Sequence, residues 1–141
     1  MQAQALAWQA PLVLMFSAGP NAALLTVPDV ALWLADADAE IVFAAEIHET
    51  LGTDGSAVTA DIVKVADGTA LASGTSLLAT TFNLKATVAT RQTRQLSAGT
   101  LASDRIIYNG QTLGINFAGT MTAVTGVHIT VVLNRLRRPS W

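Results

Sequence analysis

Three stretches of the 141-residue chain alternate between apolar and polar positions with the two-residue period of a strand that buries one face. In 40–47, Ile41, Phe43, Ala45 and Ile47 share one side, opposite Glu40, Val42, Ala44 and Glu46. In 112–118, Leu113, Ile115 and Phe117 oppose Thr112, Gly114 and Asn116. In 127–133, Val127, Ile129, Val131 and Leu133 oppose His128, Thr130 and Val132. Each stretch predicts a strand whose first-named set faces a core.

Other segments predict strands less regularly. Residues 58–65 are rich in β-branched side chains and stop at Asp67-Gly68, a tight-turn pair. Residues 77–88 mix Thr, Phe and Leu as a longer strand would. Segments 92–96, 24–27 and 30–34 complete the set, with Pro28 separating the last two. Asn109-Gly110 signals a turn before the strand at 112. The first ten residues fit a short helix and 100–107 one irregular helical turn, but neither sustains a 3.6-residue period. About eight strands separated by frequent turns predict an all-β sandwich or barrel. No linker or repeat is visible, so residues 1–141 read as one domain. Its first 20 residues either extend as an N-terminal arm or pack against the sandwich, and 135–141 read as a basic C-terminal tail.

Composition narrows the picture. A chain of this length buries roughly two-thirds of its unfolded surface, enough for a core of its own. Cysteine is absent, which excludes disulfides, Cys-based zinc sites and thiol catalysis. Hydrophobic residues make up 51% and charged residues only 13%, half the usual charged share. A small, neutral surface suits contact with another protein, because few charges need desolvating. It also suits a plain Thr/Ala-rich β-domain.

Residues 11–16 form the most apolar early stretch, far short of the ~18 needed to span a membrane as a helix. Ser17-Ala18-Gly19 imitates a signal cleavage site, yet no Lys or Arg precedes Lys64, so the segment reads as a strand or arm. Charge divides by halves: residues 1–63 hold eight acids and no Lys or Arg, and 64–141 hold eight bases and two acids. These charges pair either within one molecule or between copies of an assembly. The net charge of −2 and the lack of a basic, aromatic-interleaved patch speak against nucleic acid.

Catalytic constellations are scarce. There is no G-x-S-x-G elbow, and His48 and His128, the two histidines, read as surface residues on strands. Either one buried beside a carboxylate would reopen a hydrolase reading. Asp36-x-Asp38-x-Glu40 sets alternate acids on one face, but Ile41 stands where a calcium loop needs glycine, and a solvated edge is the simpler account. Glu46 and Glu49 are the nearest carboxylate pair, without the aromatic platforms of a sugar site. Trp33 alternates with Ala31 and Ala35 and reads as core. The expectation is a protein with no catalytic residues, no cofactor and no metal.

The ends are more suggestive. Arg135, Arg137, Arg138 and Trp141 crowd the C-terminus, and Trp8 sits in an apolar N-terminal stretch. Arg and Trp are enriched at binding hot spots. Either these five residues contact a partner protein, or the C-terminus is solvated and the N-terminal stretch is packed.

The runs Val58-Thr-Ala-Asp-Ile-Val-Lys-Val-Ala-Asp-Gly-Thr-Ala-Leu-Ala-Ser-Gly-Thr-Ser-Leu-Leu, Thr81-Phe-Asn-Leu-Lys, Leu113-Gly-Ile-Asn-Phe-Ala-Gly-Thr and Gly126-Val-His-Ile-Thr-Val-Val-Leu carry a resemblance. Over residues 38–136 the chain resembles the jelly-roll cement, or decoration, proteins of tailed-phage capsids, the Bordetella podophage type in particular. The resemblance implies a jelly roll of about eight antiparallel strands. It implies a homodimer on the outer surface of the virion that clamps neighbouring copies of the major capsid protein, with no nucleic-acid or membrane partner. A receptor- or carbohydrate-binding β-sandwich of a phage fibre or tail is the alternative.

Overall fold

The computed structural model describes residues 10–18, 29–97 and 102–136. In them the chain is an all-β sandwich of two antiparallel sheets. One sheet runs from β1 (Leu12–Ser17) through β10 (His128–Arg135) to β3 (Ala39–Ile47), whose far edge carries both β7 (Gln92–Thr93) and β8 (Ile106–Ile107). The other runs from β2 (Asp29–Leu34) through β9 (Thr112–Ala118) to β4 (Thr59–Val65), whose far edge carries β5 (Thr75–Ser76) and β6 (Phe82–Asn83).

Because each pair of two-residue strands shares one edge, the sandwich has eight strand positions among the described residues. Pairing is nested: β1 with β10, β2 with β9, β3 with β7 and β8, β4 with β5 and β6. A long hairpin rolled up in this way is a jelly roll, so the expected fold class is the observed one.

Two expected core stripes are where the alternation places them. Leu113, Ile115 and Phe117 of β9 face Val127, Ile129, Val131 and Leu133 across the sandwich interior, and all are buried. Ile41, Ile62, Leu77, Phe82, Leu84 and Ile107 fill the rest, with Trp33 packed against them.

The third alternating stretch departs from expectation. In β3, Ile41 stands opposite Leu133 and Phe43 opposite Val132, so Val42 is an extra residue in a bulge. A one-residue slip exchanges the faces of everything beyond it. Ile41 is therefore core, Phe43 is 38% exposed, and Ala44 and Glu46 turn inward.

Residues 77–88, expected as one long strand, are instead mostly loop, with β6 their strand segment. Leu77 still donates its N–H to Ile62 and Leu84 to Val58, so the chain follows the edge of β4 with an interruption. Of the N-terminal arm, residues 12–17 are a strand of the sandwich, while 1–9 and 19–20 lie outside the described residues, as does the strand expected at 24–27. Of the basic segment 135–141, Arg135 is the last residue of β10, and 137–141 lie outside the described residues.

The two outer faces are treated differently. After the Asp67-Gly68 turn the chain makes a short 3-10 turn, Leu71–Ser73, and lays Leu71 over the β2-β9-β4 sheet. Gly114 admits it: a Cβ there would stand 2.6 Å from a Leu71 methyl and 2.7 Å from the Val30 carbonyl. No described segment covers the β1-β10-β3 face in this way.

Candidate interaction surface

Outward side chains on the uncovered face fall in cross-strand rows set by the register. Val13, Val132 and Phe43 form one row; Met15, Thr130 and Ala45 form the next. Met15 is 66% exposed and Val13 51%, and Val42 joins them at the bulge. None of the seven residues carries a charge. A contiguous apolar patch on a folded sheet marks a binding surface more often than scattered exposed residues do.

Ion pairs border this patch. Arg135 Nη2 lies 3.7 Å from Asp36 Oδ1, and Arg105 Nε 3.9 Å from Glu40 Oε1. Both pairs join the acidic half of the chain to the basic half within one molecule, and both are solvent-exposed pairs of small energetic weight. Asp38 accepts the backbone N–H of Asn109 at 2.8 Å. The three alternate acids are thus spread over separate partners, and no group of three metal-ligating side chains occurs among the described residues.

Beneath the far end of β3 lies a buried polar network. His48 is not the surface residue the sequence suggested: it is 1% exposed, and its Nδ1 stands 2.8 Å from Oε1 of Glu46. The bulge at Val42 is the cause, since it turns Glu46 and the residue two beyond it inward. His48 Nε2 donates to the Ala86 carbonyl at 3.1 Å. Gln92 Nε2 donates to Glu46 Oε2 at 2.7 Å and to the Asn83 carbonyl at 2.8 Å. Gln92 Oε1 accepts from the Asn83 N–H and from Arg94. Burial pushes the Glu46 carboxyl above its ordinary range, opposed by hydrogen bonds from His48 and Gln92 and by the charges of His48 and Arg94.

The chemistry of this network follows from its partners. A carbonyl can only accept, so Nε2 carries a proton, and one further proton lies between Nδ1 and Oε1. Neither nitrogen is left to take a proton from a nucleophile. A recess of about 310 Å³ beside it is lined by Ser17, Ile47, His48, Glu49, Ala89, Gly126 and His128. His128, on the outer face, has Nε2 3.3 Å from the Thr130 hydroxyl. The arrangement ties β3 to β7 and β6.

No protein-family profile matches the chain, and no curated protein does. Among solved structures, a chain of the cyanophage Pam1 capsid asymmetric unit is similar to it, with a TM-score of 0.53 over 91% of this chain and 86% of that one. Identity between the two is 12%. The likeness is one of fold.

Of the five residues expected at a partner interface, the structure places Arg135, half-exposed at the end of β10 and paired with Asp36. Trp8, Arg137, Arg138 and Trp141 lie outside the described residues. The Val13, Met15 and Phe43 patch was not anticipated. Its signal was present in β1, whose sequence Leu-Val-Leu-Met-Phe-Ser is apolar on both faces, as a strand covered on both sides should be.

Proposed function

We propose that the protein is a non-enzymatic structural subunit of a phage virion that binds the outside of the capsid and cements neighbouring major capsid subunits. The observation that carries the reading is the open, uncharged patch of Val13, Met15, Val132 and Phe43 on the β1-β10-β3 face of a jelly roll whose fold is shared over 91% of the chain with a phage capsid component. The paired, buried His48–Glu46 couple supports a structural role over a catalytic one, because its groups hold strands together.

The partner surface that fits this face is itself neutral and apolar, a patch on the major capsid protein that loses few charges from water on contact. The protein acts as a homodimer, so one unit touches two shell subunits. Modest single contacts then give high occupancy through effective concentration, and each bridge adds binding energy that shell rupture must overcome. The face under Leu71 is left to solvent. Neither nucleic acid nor membrane is a partner in this reading.

The test is addition of purified protein to expanded, undecorated heads, followed by sedimentation and imaging. Saturable binding at fixed lattice positions, with raised resistance of the heads to heat, is expected. Absence from heads and recovery on fibres would favour the receptor-binding β-sandwich instead.

A further inference from the structure

Among the described residues, β1 has a neighbouring strand on one side only. One hydrogen bond reveals which backbone groups face the open side. Ala18 donates its N–H to the Val127 carbonyl at 3.0 Å, continuing the register that sets Leu12 against Leu133 and Phe16 against Ile129. Directly opposed residues of an antiparallel pair exchange both backbone bonds or neither, in alternation. Leu12, Leu14 and Phe16 therefore direct N–H and C=O to β10, and Val13 and Met15 direct theirs to the open edge.

The side chains obey the same alternation. Val13 and Met15 are exposed on the outer face, while Leu12, Leu14 and Phe16 point inward but are only half-buried, at the margin where the two sheets part. The strand has neither a charge nor a proline within it. Natural edges are commonly blunted by such residues, and an edge without them is a template for another strand.

We propose that the strand which adds to this edge is β1 of a second copy, running antiparallel about a two-fold axis through Leu14. In that register Val13 and Met15 of one copy exchange backbone bonds with Met15 and Val13 of the other, giving four hydrogen bonds. On the inner side Leu14 meets its own counterpart, and Leu12 meets Phe16 of the second copy. These contacts cover the half-buried apolar side chains that the single sandwich leaves at its margin. The strand is self-complementary because it has no charge to repel itself, and a closed two-fold pair is the commonest protein assembly.

This pairing rests on the reading of the chain as a dimeric shell subunit and states which edge makes the dimer. Two strands joined within one sheet have their two-fold perpendicular to it, so both outer faces point the same way. The Val13–Val132–Phe43 row of each copy then runs on into the Met15–Thr130–Ala45 row of the other, and the joined outer faces, twice the width, are directed at the shell. A two-fold of the dimer set on a two-fold of the shell would let each copy make the same contact.

The chain's lack of cysteine makes the register directly readable. Full-length protein is examined without heads, by sedimentation equilibrium and by oxidation of three single variants, Leu12→Cys, Leu14→Cys and Phe16→Cys. A dimer is expected, with a disulfide in the Leu14→Cys protein alone, since only that position faces itself at the ~4.5 Å Cα spacing of a non-hydrogen-bonded pair. Met15→Pro removes an N–H that serves the edge and not the β10 ladder. It should raise the dimer dissociation constant by about tenfold or more while far-UV circular dichroism is unchanged.

A monomer across the micromolar range, or a dimer that cross-links at position 12 or 16 in place of 14, would overturn the proposal. Should Met15→Pro fail to fold, the cysteine series decides alone. Because no head is present, a failure here leaves shell binding standing, and a failure of shell binding leaves the dimer.

Discussion

Phe43 stands opposite Val132 on the outer face of the sheet, two residues from Ile41 in the core, because Val42 is an extra residue in β3. That bulge has two consequences. It places an aromatic ring on the surface, and it turns Glu46 and His48 inside. A surface row and a buried polar network thus share one cause.

The bulge predicts opposite behaviour for two residues of the same alternating stretch. Ile41→Ala should cost about 2–5 kcal/mol of stability, as for a fully buried aliphatic side chain. Phe43→Ala should cost less than about 1 kcal/mol, because its ring is on the surface, yet weaken attachment to heads. Urea denaturation of both variants checks the first part, and a head-sedimentation assay the second.

Removing one member of the buried couple should be far worse than removing both. His48→Ala leaves the Glu46 carboxylate enclosed without its partner and should cost about 3–5 kcal/mol at neutral pH. The double replacement Glu46→Met with His48→Leu should recover most of that loss. The Glu46 carboxyl has its folded pKa raised by burial. Its contribution therefore favours the folded state below the unfolded pKa, about 4.3, and is lost as pH rises through the folded value. The His48→Ala penalty should accordingly shrink on acidification. Thermal melts of the variants as a function of pH measure this.

Asp61 offers a second pH dependence. It lies half-buried on the outer side of β4, where burial raises its pKa against a 2.6 Å hydrogen bond from Ser76. The folded state thus holds the proton more tightly than the unfolded chain, and the group favours folding at low pH and opposes it above its folded pKa. Asp61→Asn keeps an oxygen for Ser76 and drops the buried charge. It should be more stable than the parent at pH 7, with the difference vanishing below about pH 4. Equal melting temperatures at pH 7 would contradict the prediction.

Attachment through an uncharged face should depend weakly on salt. Exposed charge pairs are screened over about 10 Å at 0.1 M and about 3 Å at 1 M, whereas apolar contact is not. Occupancy of heads should therefore change little across that range. If Arg135, Arg137 and Arg138 carry the binding instead, occupancy falls steeply with salt, and quantified gel bands from pelleted heads distinguish the two.

Much of the fold was legible because the β9 and β10 stripes alternate without interruption, so Leu113 to Phe117 and Val127 to Leu133 announced their buried sides. Nested pairing was not readable from periodicity, which says nothing about which strands meet; the jelly roll entered through resemblance. Glu46 and His48 were misplaced because 43–47 is apolar enough on both sides to hide a change of parity at Val42. The 77–88 segment misled because β-branched and aromatic content reports a half-buried, pleated environment, which an interrupted edge supplies as well as a strand. The apolar patch was foreshadowed in β1, but its width became visible only when the register brought Val13, Val132 and Phe43 into one row.

The most direct measurement of the central claim is electron cryomicroscopy of heads decorated with the purified protein, at a resolution that orients each jelly roll. The account predicts regular decoration with the Val13, Met15, Val132 and Phe43 face turned to the major capsid protein and the Leu71 turn toward solvent. Decorated heads in which that face looks outward, or heads that bind no protein, would contradict it.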